Sequence, residues 1–333
     1  MILVTGGTGF LGAHLLAELC SKGEKIRVLK RNSSDLTFVK QLFDFNSNGS
    51  FGGIEWVDGD ILDTESLKPV MKGVSQVYHC AGLVSFSKKE SRNLFKINVR
   101  GTANIVNTAL ENGVKNLCYV SSVAALGSGE FINEDTLWDT GRDNSPYAES
   151  KHQAEMEIMR AEAEGLDVLI VRPSVIIGPC QQNNLISNLS RLISKGFKYY
   201  TPGSSGFVDV RDVAKAMIQL MQSTIKNESF IISSENLSYK EIFTIIAEQL
   251  NKPVPHIPVG KTVTGLLWRF VALKDFITGK DSGFNKTTAN FAHTILKYSN
   301  KKLCETLSFS YIPIRESIIN SDKYFKFYVN TKS

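Results

Sequence analysis

Six short apolar runs, each of strand length, alternate with stretches of helical period through the first half of the chain. They read "ILVT" (2–5), "IRVLK" (26–30), "IEWVDG" (54–59), "QVYHCAG" (76–82), "NLCYVSS" (116–122) and "DVLIVRP" (167–173). Between them lie amphipathic segments near 11–22, 64–72, 90–112 and 147–164. Runs that are apolar almost throughout belong to strands covered on both faces. Strand–helix alternation supplies the covering helices. The expectation is therefore an α/β fold with a doubly wound parallel sheet.

The second crossover is the weakest part of this pattern, because "FNSNGSFGG" (45–53) reads as a flexible insertion. After residue 178 the rhythm changes. "FVDVRDVAKAMIQLM" and "SFIISS" predict a helix and a strand that return to the sheet. The stretches 179–206 and 234–333 lack the alternation and are expected to form a smaller, mainly helical lobe for substrate. Residues 1–178, with 207–233 returning, are expected to form the nucleotide-binding domain.

At 333 residues the chain can bury a large core, and 42% hydrophobic with 21% charged residues is ordinary for a soluble protein. The net charge of +5 is spread among acids, which argues against a nucleic-acid partner. Five cysteines, odd in number and without a CxxC pair, support reduced thiols over disulfides or zinc. The five histidines show no ligand spacing, so no metal is expected. "MILVTGG" opens straight into a strand without a charged leader, and no apolar run reaches membrane-spanning length. A cytoplasmic protein with no membrane partner is expected. The apolar stretch 262–279 with Trp268 reads as a core or dimer helix, which leaves a homodimer open.

"VTGGTGFLG" follows the first strand and opens the first helix. Gly7, Gly9 and Gly12 fit GxGxxG, while Gly6, Gly9 and Gly12 fit GxxGxxG. Such a turn lets backbone approach a pyrophosphate at a helix N-terminus, and its last glycine permits close helix–sheet packing. In that setting the turn predicts a dinucleotide, and the sheet becomes Rossmann-type. The second strand ends "VLKRNSS", with Arg31 where an acid would accept from the ribose hydroxyl of NAD. Arginine accommodates a 2′-phosphate instead, so NADP is favoured over NAD. Asp60 in "GDILD" is placed to reach the adenine or to cap the next helix.

"SPYAESK" puts Tyr147 four residues before Lys151, one helical turn apart. Tyr298/Lys302 and Tyr328/Lys332 share that spacing, so spacing alone selects none of them. The order of motifs does. "TGGTGFLG", "GDILD", "HCAGLVSFS", "NVRGTANIV", "YVSSVAALG", "PYAESK", "VRPSVIIGP" and "FVDVRDVA" resemble those of extended short-chain dehydrogenase/reductases. Within them the chain looks most like the dihydroflavonol 4-reductase-like proteins, well over residues 1–250 and more loosely beyond. The resemblance implies that the catalytic tyrosine opens the helix after the fifth strand, some way beyond a strand-end serine. Tyr147 satisfies this, with Ser122 upstream; Ser121 is the alternative, and Ser122 fits the family's S-x-x-x-x-G pattern with Gly127.

The resemblance further implies that Lys151 contacts the nicotinamide ribose and that Asn98 lies near the active site. Phe10, Leu11, Ile61, Pro173 and Val175 are assigned to cofactor contacts beside Gly6, Gly9, Gly12, Arg31, Asp60, Tyr147 and Lys151. A phenol ordinarily ionises near pH 10. Lys151, and the nicotinamide ring when oxidised, are expected to lower that value, letting Tyr147 exchange a proton while Ser122 holds the substrate oxygen. Val84, Ser85 and Phe86, at the C-terminal edge of the sheet, are candidates for the substrate pocket. Phe197, Tyr199 and Tyr200 hint at an apolar substrate.

The expected enzyme is an NADP-dependent carbonyl reductase or alcohol dehydrogenase acting on a small apolar substrate. The alternative is a nucleotide-sugar epimerase, or a related enzyme, with tightly bound NAD. Against that alternative stand Ser122-Val123-Ala124 where dehydratases resemble T-D-E, Arg31 in place of an acid, and "TPGSSG" without basic residues.

Overall fold

The computed structural model describes residues 1–46, 51–141, 144–180, 185–278 and 285–330. The first half alternates as β1 (Ile2–Thr5), α1 (Phe10–Ser21), β2 (Ile26–Lys30), α2 (Thr37–Asn46), β3 (Ile54–Asp58), α3 (Thr64–Met71) and β4 (Gln76–His79). Then come α4 (Ser91–Leu94), a π-turn over Phe95–Arg100, α5 (Gly101–Glu111), β5 (Asn116–Val120), the short β6 (Phe131–Ile132), α6 (Pro146–Ala163), β7 (Asp167–Pro173) and β8 (Val175–Ile177). The remainder comprises α7 (Leu185–Ser194), β9 (Tyr199–Tyr200), β10 (Ser204–Asp209), α8 (Val210–Gln222), β11 (Glu228–Ile232), β12 (Glu235–Ser238) and α9 (Tyr239–Gln249). Last are β13 (Ile257–Pro258), α10 (Lys261–Thr278), α11 (Lys286–Phe291), β14 (Lys297–Tyr298), α12 (Lys301–Leu307) and α13 (Ile314–Asn330).

Seven strands form one parallel sheet in the order β11-β7-β5-β4-β1-β2-β3. Its strands alternate between two cores. Ile2 and Val4 of β1, with Leu169 and Val171 of β7, pack into the core shared with α1, α2 and α8. Leu3, Val168 and Ile170 point the other way, onto α3, α5 and α6. Burial on both faces is why these strands read as continuous apolar runs.

Several sequence expectations are adjusted. The run 45–53 is not simply an insertion. Phe45 and Asn46 end α2, where the Phe45 ring packs edge-on to Tyr324 at 5.2 Å. Phe51–Gly53 forms a short 3-10 turn with Phe51 against Phe43 and Trp56, and 47–50 lie outside the described residues. "FVD" belongs to β10, which pairs with β8 and β12 in a separate three-stranded sheet; the helix begins only at Val210. The segment 90–112 is helical but carries the π-turn in its middle. Leu303, Phe309 and Tyr324 of the tail join the core beneath α1 and α2.

The apolar stretch with Trp268 is a helix, but not a core helix. Val263, Leu266, Leu267 and Phe270 of α10 are 57%, 54%, 50% and 70% exposed. Position 279 lies outside the described residues. No helix among the described residues is long and apolar enough to cross a membrane.

Candidate functional site

The glycine turn is built for close approach. Gly6 adopts φ +70°, a left-handed conformation that other residues rarely take. A Cβ on Gly12 would lie 2.2 Å from the Gly6 carbonyl oxygen, so only glycine lets α1 pass here. Gly9 caps α1 without a side-chain acceptor, and no acid occupies the first turn. The Gly9 N–H is spent on Gly6 O at 3.0 Å. The N–H groups of Phe10, Leu11 and Gly12, lacking carbonyl partners within the helix, remain for an external anion. This turn opens into a cleft of about 340 Å³ lined by residues that include Gly6, Gly9, Arg31, Asp60, Ile61 and Gly82. The residues present fit a dinucleotide.

At the far wall of that cleft, Lys30 forms an ion pair with Asp58, and Arg31 makes none among the described residues. The Arg31 backbone N–H donates to Ser34 Oγ at 3.1 Å, which turns the chain after β2. Asp60 is partly committed, since its Oδ1 accepts from the Leu62 N–H at 2.9 Å. It does not cap the next helix. Asp63 does, accepting from Glu65 N–H.

Tyr147 enters the site from the first turn of α6. Ser145 caps that helix, its Oγ accepting from Ala148 N–H at 3.1 Å, and Pro146 takes the first helical position. Tyr147, Lys151 and Glu155 then fall on one buried face. Ser122 Oγ accepts from Ala124 N–H at 3.2 Å, and the serine acts on the Tyr147 phenol to hold its pKa down. Ser121 Oγ is buried with no hydrogen-bond partner among the described residues.

Lys151 sits beneath. Its Nζ donates to Tyr119 Oη and to the Val120 carbonyl, both at 2.7 Å. Burial pushes its pKa down to about 7, opposed by the Glu155 and Cys80 charges. Within the chain itself, burial raises the Tyr147 pKa and Ser122 opposes the rise. The Lys151 ammonium is engaged on β5, and the charge of an oxidised nicotinamide would add to these surroundings.

Asn98 is fully occupied by the scaffold. Its Oδ1 accepts from Leu83 N–H at 2.7 Å, and its Nδ2 donates to Leu83 O at 3.0 Å and Ser150 Oγ at 2.9 Å. It ties the π-turn to α6 and to the loop after β4. That loop carries Val84, Ser85 and Phe86. The Phe86 ring meets Tyr147 edge-on at 5.8 Å, Ser85 Oγ accepts from Ser87 N–H, and Val84 is exposed. Pro173 ends β7 and Val175 begins β8, next to each other at the strand ends.

The pair Tyr298/Lys302 does not form a comparable face. Tyr298 lies in β14 while Lys302 belongs to α12 and pairs with Glu228; Lys332 is outside the described residues.

Four contributors escaped the sequence reading. His79, Tyr119 and Thr102 meet around Lys151 from separate elements, and no local pattern links them. Asn285 caps α11 and donates from Nδ2 to Phe86 O at 2.6 Å, joining the tail to the Phe86 loop. Its signal was the cap pattern "NKTT", which marks a helix start but not its neighbour.

The model of the NAD dependent epimerase/dehydratase family matches residues 2–233. Among curated relatives, "Sterol demethylase protein B" of Methylococcus capsulatus is 29% identical, over 77% of this chain and 76% of that protein. A protein of Synechocystis sp., provisionally named dihydroflavonol 4-reductase, is 31% identical over 76% of this chain and 73% of its own length. The crystal structure of gox2253 superposes with a TM-score of 0.82 at 25% identity, covering 98% of both chains.

Proposed function

The chain belongs to the NAD dependent epimerase/dehydratase family, an enzyme family of the extended short-chain type, and on that premise we propose that it is an NADP-dependent oxidoreductase. It reduces a ketone or aldehyde of a small apolar substrate, or oxidises the corresponding alcohol. The observation that carries this reading is Tyr147, buried in the first turn of α6, one helical turn from the buried Lys151.

A nicotinamide cofactor held by the turn at Gly6, Gly9 and Gly12 and by Lys151 would supply the hydride for the substrate carbon. Tyr147 delivers the proton. A phenol held above its ordinary pKa keeps that proton until the substrate oxygen becomes basic, which suits a donor in reduction. Ser122 holds the substrate oxygen beside it, and Lys151 supplies the local positive charge that favours the phenolate afterwards. Asn98 acts as a positioning residue through Leu83 and Ser150. Arg31, without an ion pair among the described residues while Asp58 is tied to Lys30, supports NADP over NAD. Phe86, against the Tyr147 ring, with Val84 and Ser85 on the same loop, offers an apolar wall. Residues 1–178 with 207–233 hold the cofactor, and 179–206 with 234–333 contribute to the substrate side.

The test mixes the purified protein with NADPH or NADH and a panel of aromatic and aliphatic ketones, following nicotinamide absorbance. NADPH consumption by the parent chain is expected, with a loss of roughly 100- to 10,000-fold in Tyr147→Phe. Retained turnover in that variant would remove Tyr147 from the reaction. Tightly co-purified NAD without net turnover would favour the epimerase.

A further inference from the structure

We propose that Tyr119, its ring packed on His79, is the positioning residue for Lys151. Its hydroxyl and the Val120 carbonyl set the ammonium at the end of β5 and so govern how far Lys151 favours the Tyr147 phenolate. The inference rests on Tyr147 being the proton-transfer group.

Proton counting fixes the direction of every bond in this buried cluster. A hydroxyl has one proton to give. Thr102 Oγ1 gives its own to the Asn98 carbonyl at 2.5 Å. His79 Nε2, 3.0 Å from the same oxygen, must therefore donate to it. That makes His79 Nδ1 the acceptor for Thr5 Oγ1 at 2.7 Å, while the Thr5 oxygen accepts from Ala81 N–H at 3.2 Å. The Tyr119 ring packs on that His79 ring, centroids 5.5 Å apart. An ammonium has only protons to give, so the Tyr119 oxygen accepts from Lys151, at 2.7 Å. The His79 ring against Tyr119 is thus held by Thr102 and by Thr5 of β1, a chain of bonds ending at the Ala81 N–H after β4.

All these side chains are at most 5% exposed. In such surroundings an ammonium needs acceptors, because a charge without them is strongly disfavoured. Val120 O and Tyr119 Oη supply two, and the Tyr119 ring centroid lies 4.4 Å from Nζ. The ionisable groups facing Lys151 are His79 and Cys80 on and after β4, Tyr119 on β5, and Glu155 on its own helix. Glu155 is neutralised by Arg172 of β7. Burial holds His79 down to about 3 and Cys80 up to about 12, so neither titrates beside Lys151 near neutrality.

The experiment follows tyrosinate absorbance against pH with saturating NADP⁺, taking the difference between each protein and its Tyr147→Phe counterpart. Tyr119→Phe keeps the ring and removes only the hydroxyl. The Tyr147 step is expected to move up by roughly one pH unit, the scale of one hydrogen bond to a charged group. Thr102→Val should move it in the same direction by less, and Thr102→Ser should leave it at the parent position. A step that stays or moves down in Tyr119→Phe overturns the proposal. If that variant does not fold, equal behaviour of Thr102→Val and Thr102→Ser overturns it instead. Absence of a Tyr147 step in the parent chain overturns the proton-transfer reading, and this inference with it.

Discussion

Helices α6 and α10 are each 18 residues long, and burial treats them in opposite ways. The stripe Val263, Leu266, Leu267 and Phe270 runs at helical spacing along α10 and is exposed. α6, with four acids among its residues, buries Tyr147, Lys151 and Glu155 beside Ala154, Ile158 and Ala161. Apolar spacing shows that a segment is helical and which side would prefer cover. It does not show whether another element arrives to cover it. What draws α6 inward is specific chemistry: Glu155 accepts from Arg172 Nε at 2.9 Å and Nη2 at 2.8 Å, and Arg172 also reaches Ser229.

Removing that chemistry should have the largest effect. Glu155→Gln leaves Arg172 buried without a counter-charge and is expected to cost about 3–5 kcal/mol in urea unfolding. Combining it with Arg172→Met should recover part of the loss, and no recovery would mean that the pair is not what anchors α6.

Acid should test the same half of the molecule. His14 Nε2 donates to the Pro179 carbonyl at 2.8 Å, and burial lowers its pKa to about 4; His79 falls to about 3. Both lie below the ordinary 6.5, so the unfolded chain binds more protons as the solution is acidified. Their contribution is intact above pH 6.5 and declines as pH falls toward 4, by about 3 kcal/mol for His14. His14→Gln, which can still donate to Pro179 O, should flatten that acid limb in unfolding measured across pH. An unchanged limb would assign the acid sensitivity elsewhere.

The smallest effect should be the α10 half of a pair of truncations. Ile158→Ala in α6 removes a fully buried side chain and should cost about 2–5 kcal/mol. Leu266→Ala in α10 should stay within about 0.5 kcal/mol, read as a thermal midpoint. Equal losses would show that the α10 stripe is covered in solution.

The contrast also explains what was legible in the sequence. The strands, the glycine turn and the start of α6 were readable because each is set locally. Apolar runs mark strands, a Gly12 that admits no Cβ marks the turn, and Ser145-Pro146 marks the helix. The Lys151 cluster was not, since its partners lie 32 and 74 residues apart in the bonds Lys151–Tyr119 and Thr5–His79. The sheet register brings them together, and register is not written in any one segment. Local reading also could not foresee that burial would raise the Tyr147 pKa, because that depends on what surrounds the phenol.

The π-turn at Phe95–Arg100 works as a phase adjuster for everything downstream of it. It holds Asn98 toward Leu83 and Ser150, and it hands over to α5 so that Thr102 meets His79. Shortening it by one residue would swing the following helix by roughly 100° about its axis. Asn98 and Thr102 could not then both keep their bonds. Chain length at this spot is thus as tightly constrained as residue identity, and drift by insertion or deletion there is closed to the fold.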